Sequence, residues 1–260
     1  MSFKNQLSLI TGAAKGIGAQ VSLDLLKQGS KVIMLDIDSM ALSNFAKPLQ
    51  LKYPNKVYYF NLDLTDKWQV TQLLDMIEQD FGDINHLVNC AGILHLNSIL
   101  DITSDELEKT IAVNMSGAFF IIQAIAKKMA KQGYGSIVAV GSNSASTPRK
   151  NMAAYCASKA GIHMLIRCLG LELAQLGIRC NIVSPGSTRT QMQTQMWNEK
   201  YNEQDTISGE LTSFRMGIPL NKIAETSDIS DAVLFLLSDK AKHITMQDLR
   251  IDGGATLGCI

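Results

Sequence analysis

Short β-branched or apolar runs alternate with longer segments of helical period along the whole chain, and this alternation limits the possible folds more than any other feature. It begins with Leu7-Ser8-Leu9-Ile10-Thr11, followed by an apolar stripe at Ile17, Val21 and Leu25. Further strands are expected at 31–36, 57–62, 86–89, 136–141, 179–184 and 249–252, with helices near 67–80, 105–131, 155–176 and 226–238. Gly29, Gly133 and Gly177 fall just past three helical segments, where a left-handed residue ends a helix. Seven strands joined by helical crossovers predict an α/β, Rossmann-type doubly wound fold, a seven-stranded parallel sheet with helices on both faces. With no repeat, low-complexity tract or Pro/Ser-rich linker, residues 1–260 are expected to form a single domain. The polar, Met/Gln-rich stretch 187–217 breaks the rhythm and reads as a lid over a site.

Composition removes several function classes. The chain has 24 Lys and Arg against 24 Asp and Glu, so it lacks the basic excess with which a nucleic-acid binder neutralises phosphates. The same balance argues against electrostatic steering to a membrane surface. Apolar residues make up 46% of the sequence, ample for a large core, yet no run of about 18 uncharged apolar residues suggests a membrane span. The first residues run directly into a strand pattern, so a secretory signal is not expected. Cys90, Cys156, Cys168, Cys180 and Cys259 are odd in number and widely spaced, which predicts reduced, mostly buried thiols in a cytoplasmic protein. His86, His95, His163 and His243 form no ligand motif, and no metal is expected.

Between the first strand and first helix lies Thr11-Gly12-Ala13-Ala14-Lys15-Gly16-Ile17-Gly18. Gly12, Gly16 and Gly18 allow a tight turn and close backbone approach, while the following helix offers free N–H groups to a pyrophosphate. No Gly-Lys-Ser/Thr follows, so this is not an ATPase-type phosphate loop. Asp36 closes the second strand 18 residues after Gly18, where a carboxylate can accept hydrogen bonds from both ribose hydroxyls and repel a 2′-phosphate. NAD is therefore favoured over NADP, although Lys15 could pair with that phosphate. Asp36 could alternatively cap the turn that follows its strand.

Tyr155 and Lys159 stand four residues apart on an expected helix, hence on one face. A nearby ammonium is expected to lower the phenol pKa, so that Tyr155 can take a proton from an alcohol or return one to a carbonyl. Tyr and Lys at this spacing are common on helix surfaces; Ser142, thirteen residues before Tyr155 at a strand end, makes the set distinctive. Its hydroxyl can steady charge on the reacting oxygen. Without a Gly-x-Ser-x-Gly elbow, nucleophilic hydrolase chemistry is disfavoured.

These motifs together resemble the short-chain dehydrogenase/reductase family over almost the whole chain. The resemblance implies that Asp63-Leu64 contact adenine, that Asn89, Ala91 and Gly92 form the signature after the fourth strand, and that Pro185, Gly186 and Thr188 hold the nicotinamide carboxamide. Cys90 departs from the usual residue in that signature. Tyr155 and Lys159 would also contact the cofactor, and Asn114 would support a proton path through Lys159. A homo-oligomer, usually a tetramer, is implied as well.

Further stretches, Ala91-Gly92-Ile93-Leu94, Thr147-Pro148-Arg149, Gly217-Ile218-Pro219-Leu220 and His243-Ile244-Thr245 among them, resemble a branch of the family acting in siderophore biosynthesis. That resemblance implies a small-molecule substrate, a carboxylated cyclohexadiene diol, oxidised to a catechol acid. A carboxylate calls for a guanidinium, and Arg149 lies between Ser142 and Tyr155; Arg189 in the lid is the second candidate. A solvent-exposed loop arginine is the competing reading of Arg149. Met192, Met196 and Trp197 could wall a flat ring, or simply pack. Two other functions remain open: a generic NAD(P)-dependent alcohol dehydrogenase or 3-oxoacyl reductase, and a nicotinamide-sensing binding protein without turnover.

Overall fold

The structure is a computed structural model that describes residues 1–199 and 201–258; Cys259 lies outside them. Seven parallel strands, β1 (Leu7–Thr11), β2 (Lys31–Asp36), β3 (Val57–Asn61), β4 (His86–Asn89), β5 (Gly135–Val140), β6 (Ile178–Pro185) and β7 (Asp248–Ile251), form one sheet in the order β3-β2-β1-β4-β5-β6-β7. The expected doubly wound fold is the fold observed. Strand residues alternate between two cores, as a sheet covered on both faces requires. Leu9, Ile33, Leu87, Ile137 and Ile182 face one core. Ile10, Val32, Met34, Val88, Val138 and Val183 face the other.

Helices α1 (Gly16–Lys27), α2 (Ser39–Lys52) and α9 (Thr226–Leu237) cover the second face through Val21, Leu25, Leu42, Ala46 and Val233. Helix α2 adds to the elements expected from periodicity. Pro48 lies inside it and reads as a break, and Met40 and Leu51 blur its apolar stripe by facing solvent. Its start is fixed by Asp38, whose carboxylate accepts from the Ala41 N–H at 3.0 Å.

The first face is covered by α3 (Lys67–Phe81), α5 (Ala118–Gln132) and α6 (Ala153–Leu173). The long helix expected near 105–131 is present but not uniform: α4 (Ser104–Ile111) passes through a π-helical turn, Ala112–Gly117, into α5. By length and composition Ser104–Gln132 could cross a membrane, which run-counting in the sequence did not suggest. Here Ile121, Ile122, Ile125 and Met129 are instead buried in the core.

Segment 187–217 contains two short helices, α7 (Gln191–Thr194) and α8 (Glu203–Ser208), followed by a 3₁₀ turn. It is fastened at its base by Arg189, which donates to both Glu203 oxygens at 2.7 and 2.8 Å and to Glu225 at 2.9 Å. Of the four described cysteines only Cys180 is buried, a correction to the expectation of mostly buried thiols; Cys168 is exposed because it lies on the solvent side of α6.

Candidate active site

The strand order reverses direction between β1 and β4, and in such sheets the crevice outside the strand C-termini at that point is where a ligand fits. A cavity of about 1050 Å³ opens there. It runs from the glycine turn after β1, past the ends of β2 to β6, to segment 187–217.

At one end, Gly12, Lys15, Gly16, Ile17 and Gly18 line the cavity. A side chain at position 12 would place its Cβ 2.8 Å from the Ala91 backbone N, and one at 18 would sit 2.2 Å from the Gly12 carbonyl oxygen. At Gly12 and Gly18 the turn therefore presents backbone alone. No side chain caps the start of α1 and no acid occupies its first turn, which leaves its N–H groups and partial positive charge to an anion. These observations fit the pyrophosphate of a dinucleotide.

Asp36 lines the same end, accepting from the Ala14 N–H and the Asp38 N–H, each at 2.9 Å. It thus both caps the turn after β2 and braces the glycine turn. Lys15 is not free: its ammonium pairs with Asp38 at 2.8 Å, which raises the Lys15 pKa and lowers that of Asp38. Asp63 and Leu64 also line this end, with Asp63 held by the Thr65 N–H at 2.9 Å and hydroxyl at 2.7 Å.

Asn89 does not line the cavity, although Ala91 and Gly92 do. Its carboxamide oxygen accepts from the Thr11 hydroxyl at 3.0 Å, and the Thr11 oxygen in turn accepts from the Cys90 and Ala91 N–H groups at 3.2 Å. Asn89 thereby clamps β4 to β1 and holds the signature loop from behind. At the middle of the cavity Pro185, Gly186 and Thr188 form the turn after β6, and the Thr188 hydroxyl donates to the Gly186 carbonyl at 3.1 Å.

Ser142, Tyr155 and Lys159 converge where β5 ends against α6, and all three line the cavity. Gly141 allows this convergence, because a Cβ there would lie 2.2 Å from His163 Nε2 and 2.8 Å from Ile182. The Lys159 ammonium donates to the Val140 carbonyl at 2.9 Å and lies 5.7 Å from the centre of the Tyr155 ring. Burial pushes its pKa down to about 8.

The expected lowering of the Tyr155 pKa is corrected: burial pushes the phenol up to about 12, partly offset by the Ser142 hydroxyl. Taking a phenolate out of water costs more than the neighbouring hydroxyl returns. Asn114 sits in the π-helical turn and is buried. Its amide nitrogen donates to the Ile93 carbonyl at 2.9 Å and the Ser158 hydroxyl at 3.0 Å, while its oxygen accepts from the Ile93 N–H at 2.8 Å. It does not line the cavity; it fixes the loop after β4 to α6 beside Lys159.

At the far end Arg149 lines the cavity with Met192, Gln193 and Met196. Arg149 makes no ion pair among the described residues, and burial together with the charge of Arg215 holds its pKa below the ordinary value. Arg189 does not line the cavity, and its guanidinium is fully engaged by Glu203 and Glu225. Trp197 packs outside as well, donating to Thr206 at 3.1 Å. Gln193 is buried and its amide nitrogen has no partner among the described residues. Tyr201 and Arg215, which the sequence reading passed over, also line this end. No local motif marks them; only the path of segment 187–217 brings them in. No cluster of metal-ligating side chains occurs among the described residues.

Comparison with known proteins agrees with this fold. A family model described as enoyl-(acyl carrier protein) reductase matches residues 12–256. The vibriobactin-specific 2,3-dihydro-2,3-dihydroxybenzoate dehydrogenase of Vibrio cholerae is 46% identical over 257 residues, covering 99% of this chain and 98% of that protein. The 2,3-dihydro-2,3-dihydroxybenzoate dehydrogenase of Bacillus subtilis is 44% identical, covering 98% and 97%. Among solved structures, a short-chain type dehydrogenase/reductase from Mycobacterium ulcerans superposes with a TM-score of 0.89 at 26% identity, over 99% of this chain and 92% of that one.

Proposed function

This chain belongs to the short-chain dehydrogenase/reductase family, and from that premise we propose that it oxidises 2,3-dihydro-2,3-dihydroxybenzoate to 2,3-dihydroxybenzoate with NAD, in the biosynthesis of a catechol siderophore. It is an oxidoreductase that uses a nicotinamide cofactor. The observation that carries the substrate reading is Arg149, a guanidinium without a carboxylate partner in the cavity that also holds Ser142, Tyr155 and Lys159. Preference for NAD is supported by Asp36 at the ribose end and by Asp38, which engages the one basic residue of the glycine turn.

When bound, the nicotinamide accepts a hydride from the carbinol carbon of the substrate. Gly12, Gly16 and Gly18 would hold its pyrophosphate, Asp36 the ribose, Asp63 and Leu64 the adenine, and Pro185, Gly186 and Thr188 the carboxamide end. Ser142 donates to the reacting oxygen and orients it. Tyr155 takes the hydroxyl proton as the carbon–hydrogen bond breaks, and Lys159 supplies positive charge that favours the phenolate. Asn114 keeps Lys159 and the loop after β4 in register. Arg149 receives the carboxylate, and Gln193 offers its unpartnered amide to a ring oxygen. The diol loses one hydride and one proton, and the resulting ketone tautomerises to the aromatic catechol, which makes the oxidation strongly downhill.

We also propose a homo-oligomer, a tetramer by family resemblance, assembled through α5 and α6, on which Phe119, Met164 and Leu171 are exposed. The four described thiols are unpaired, which fits a cytoplasmic location. The test of function is NADH formation from the purified protein and 2,3-dihydro-2,3-dihydroxybenzoate, with the catechol acid identified chromatographically. Rapid turnover with NAD⁺ and little with NADP⁺ is expected; binding of NAD without turnover of the diol would overturn the substrate reading.

A further inference from the structure

Two arginines, Arg149 and Arg215, line the far end of the cavity together with Lys150 and Glu210. Arg149 comes from the loop before α6, which is held by the Met152 N–H donating to the Arg149 carbonyl at 3.3 Å. Arg215 comes from the end of segment 187–217, and its backbone is fixed by paired hydrogen bonds with Glu210 at 2.8 and 3.0 Å. The Arg215 Nη1 donates to the Tyr201 hydroxyl at 2.6 Å, and the guanidinium lies 5.6 Å from the centre of the Tyr201 ring. Among the described residues neither arginine has a carboxylate within ion-pair distance, whereas Arg189 on the same segment has two. Glu210 lines the same end, its carboxyl held below the usual range by Ser213 and Thr212 hydrogen bonds and by the charge of Arg215, but it forms no ion pair with either arginine among the described residues. An anion seated between the two guanidinium groups would relieve their repulsion and lost hydration.

We propose that Arg215, positioned by Tyr201, is the second cation of the substrate carboxylate site and a determinant of specificity for a carboxylated ring. The proposal rests on the reading of the substrate as a carboxylated cyclohexadiene diol, and goes beyond it by assigning a residue on the segment over the cavity. A carboxylate has two oxygens and about four lone-pair positions, enough to accept from a guanidinium on each side. Arg149 alone would bind the acid from the fixed wall. With Arg215 contributing from segment 187–217, the acid joins that segment to the wall carrying the catalytic groups. A diol without the carboxylate leaves both guanidinium groups unmatched.

The experiment compares wild type with Arg215→Met, Arg215→Lys and Tyr201→Phe on two substrates, 2,3-dihydro-2,3-dihydroxybenzoate and the corresponding cyclohexadiene diol without the carboxylate. The readout is the ratio of kcat/KM for the acid to that for the uncarboxylated diol. For Arg215→Met the ratio should fall on the order of tenfold to a hundredfold, the effect of removing a charged hydrogen-bond partner. Arg215→Lys should restore part of the loss, and Tyr201→Phe should produce a smaller fall. Calorimetric titration with 2,3-dihydroxybenzoate and with catechol gives a second readout that needs no turnover: the Met variant should lose affinity for the acid selectively. An equal loss on both substrates, or no change on either, would overturn the proposal. If wild type turns over neither diol, the functional reading fails separately and the titration decides: selective loss of acid binding supports the Arg215 site, and any other result removes it.

Discussion

The Lys159 ammonium donates to the carbonyl oxygen of Val140 at 2.9 Å, so the helix that carries Tyr155 is tied to the strand that leads into Ser142. This one bond fixes the spacing between base and orienting hydroxyl. It also keeps a cation where solvent cannot hydrate it, and burial lowers its pKa to about 8.

Lys159→Met should therefore abolish turnover while raising stability at neutral pH. The Lys159 pKa falls from 10.5 in the unfolded chain to about 8 in the folded one. Between those values the unfolded chain binds the extra proton, so wild-type stability rises with pH across that window. The burial penalty is fully present below about 8, and the advantage of the Met variant should shrink above it. Denaturation midpoints of both proteins at pH 6.5 and near pH 10 check this. A variant less stable than wild type at pH 6.5 would mean that the bond to Val140 outweighs the penalty.

Tyr155→Phe should lower kcat by about two to four orders of magnitude, the usual range for removing a general acid or base. The wild-type phenol, pushed up to about 12 by burial, is mostly protonated at neutral pH. Because oxidation needs the phenolate, kcat/KM should climb with pH, and the climb should be missing from the residual activity of the variant. A pH-rate profile for each protein, taken with saturating cofactor, provides the comparison.

Asp36→Ser should reduce the preference for NAD⁺ over NADP⁺ by about tenfold or more, by removing repulsion at the ribose. Adding Asp38→Asn should shift the preference further, since it releases Lys15 from its 2.8 Å pair. The ratio of kcat/KM for the two cofactors measures both steps. An additive double variant would show the two carboxylates acting separately; an unchanged ratio in the double variant would remove both from cofactor selection.

Gly141→Ala should cut activity without abolishing cofactor binding. Its Cβ would meet His163 Nε2 at 2.2 Å, which forces the start of the Ser142 turn away from α6. Ser142 donates its N–H to that same ring nitrogen at 3.5 Å, so its hydroxyl would move relative to Tyr155. Fluorescence titration with NADH, set beside kcat, separates the two effects.

Much of this site is legible in the sequence because its parts are local. A glycine turn, a strand-end acid and a Tyr and Lys one helical turn apart are each specified by neighbours in the chain, and the parallel sheet brings them together. The phenol pKa was not legible, because burial is a property of the packed site. Helix α2 was missed because Pro48 hides its period. Asn89 and Asn114 fall at the right chain positions, but their side chains face backbone behind the cavity. Arg149 and Arg189 look equivalent as letters, and only the folded course of segment 187–217 gives Arg189 two acids and leaves Arg149 none.

The π-helical turn at Ala112–Gly117 carries one residue more than an α-helical turn would need. Removing any single residue there would let α4 run into α5 as one regular helix. Because the wide turn absorbs that residue within a single turn, α5 beyond the join would keep its rotation about the axis. Ile121, Ile125 and Met129 would stay in the core, whereas the wide turn that aims Asn114 at Ile93 and Ser158 would be gone. The extra residue thus serves the site and not the packing of the sheet. In a deletion scan, loss of one residue among these six should spare folding and cost activity, whereas a deletion inside α5, which rotates the rest of that helix by about 100°, should cost both.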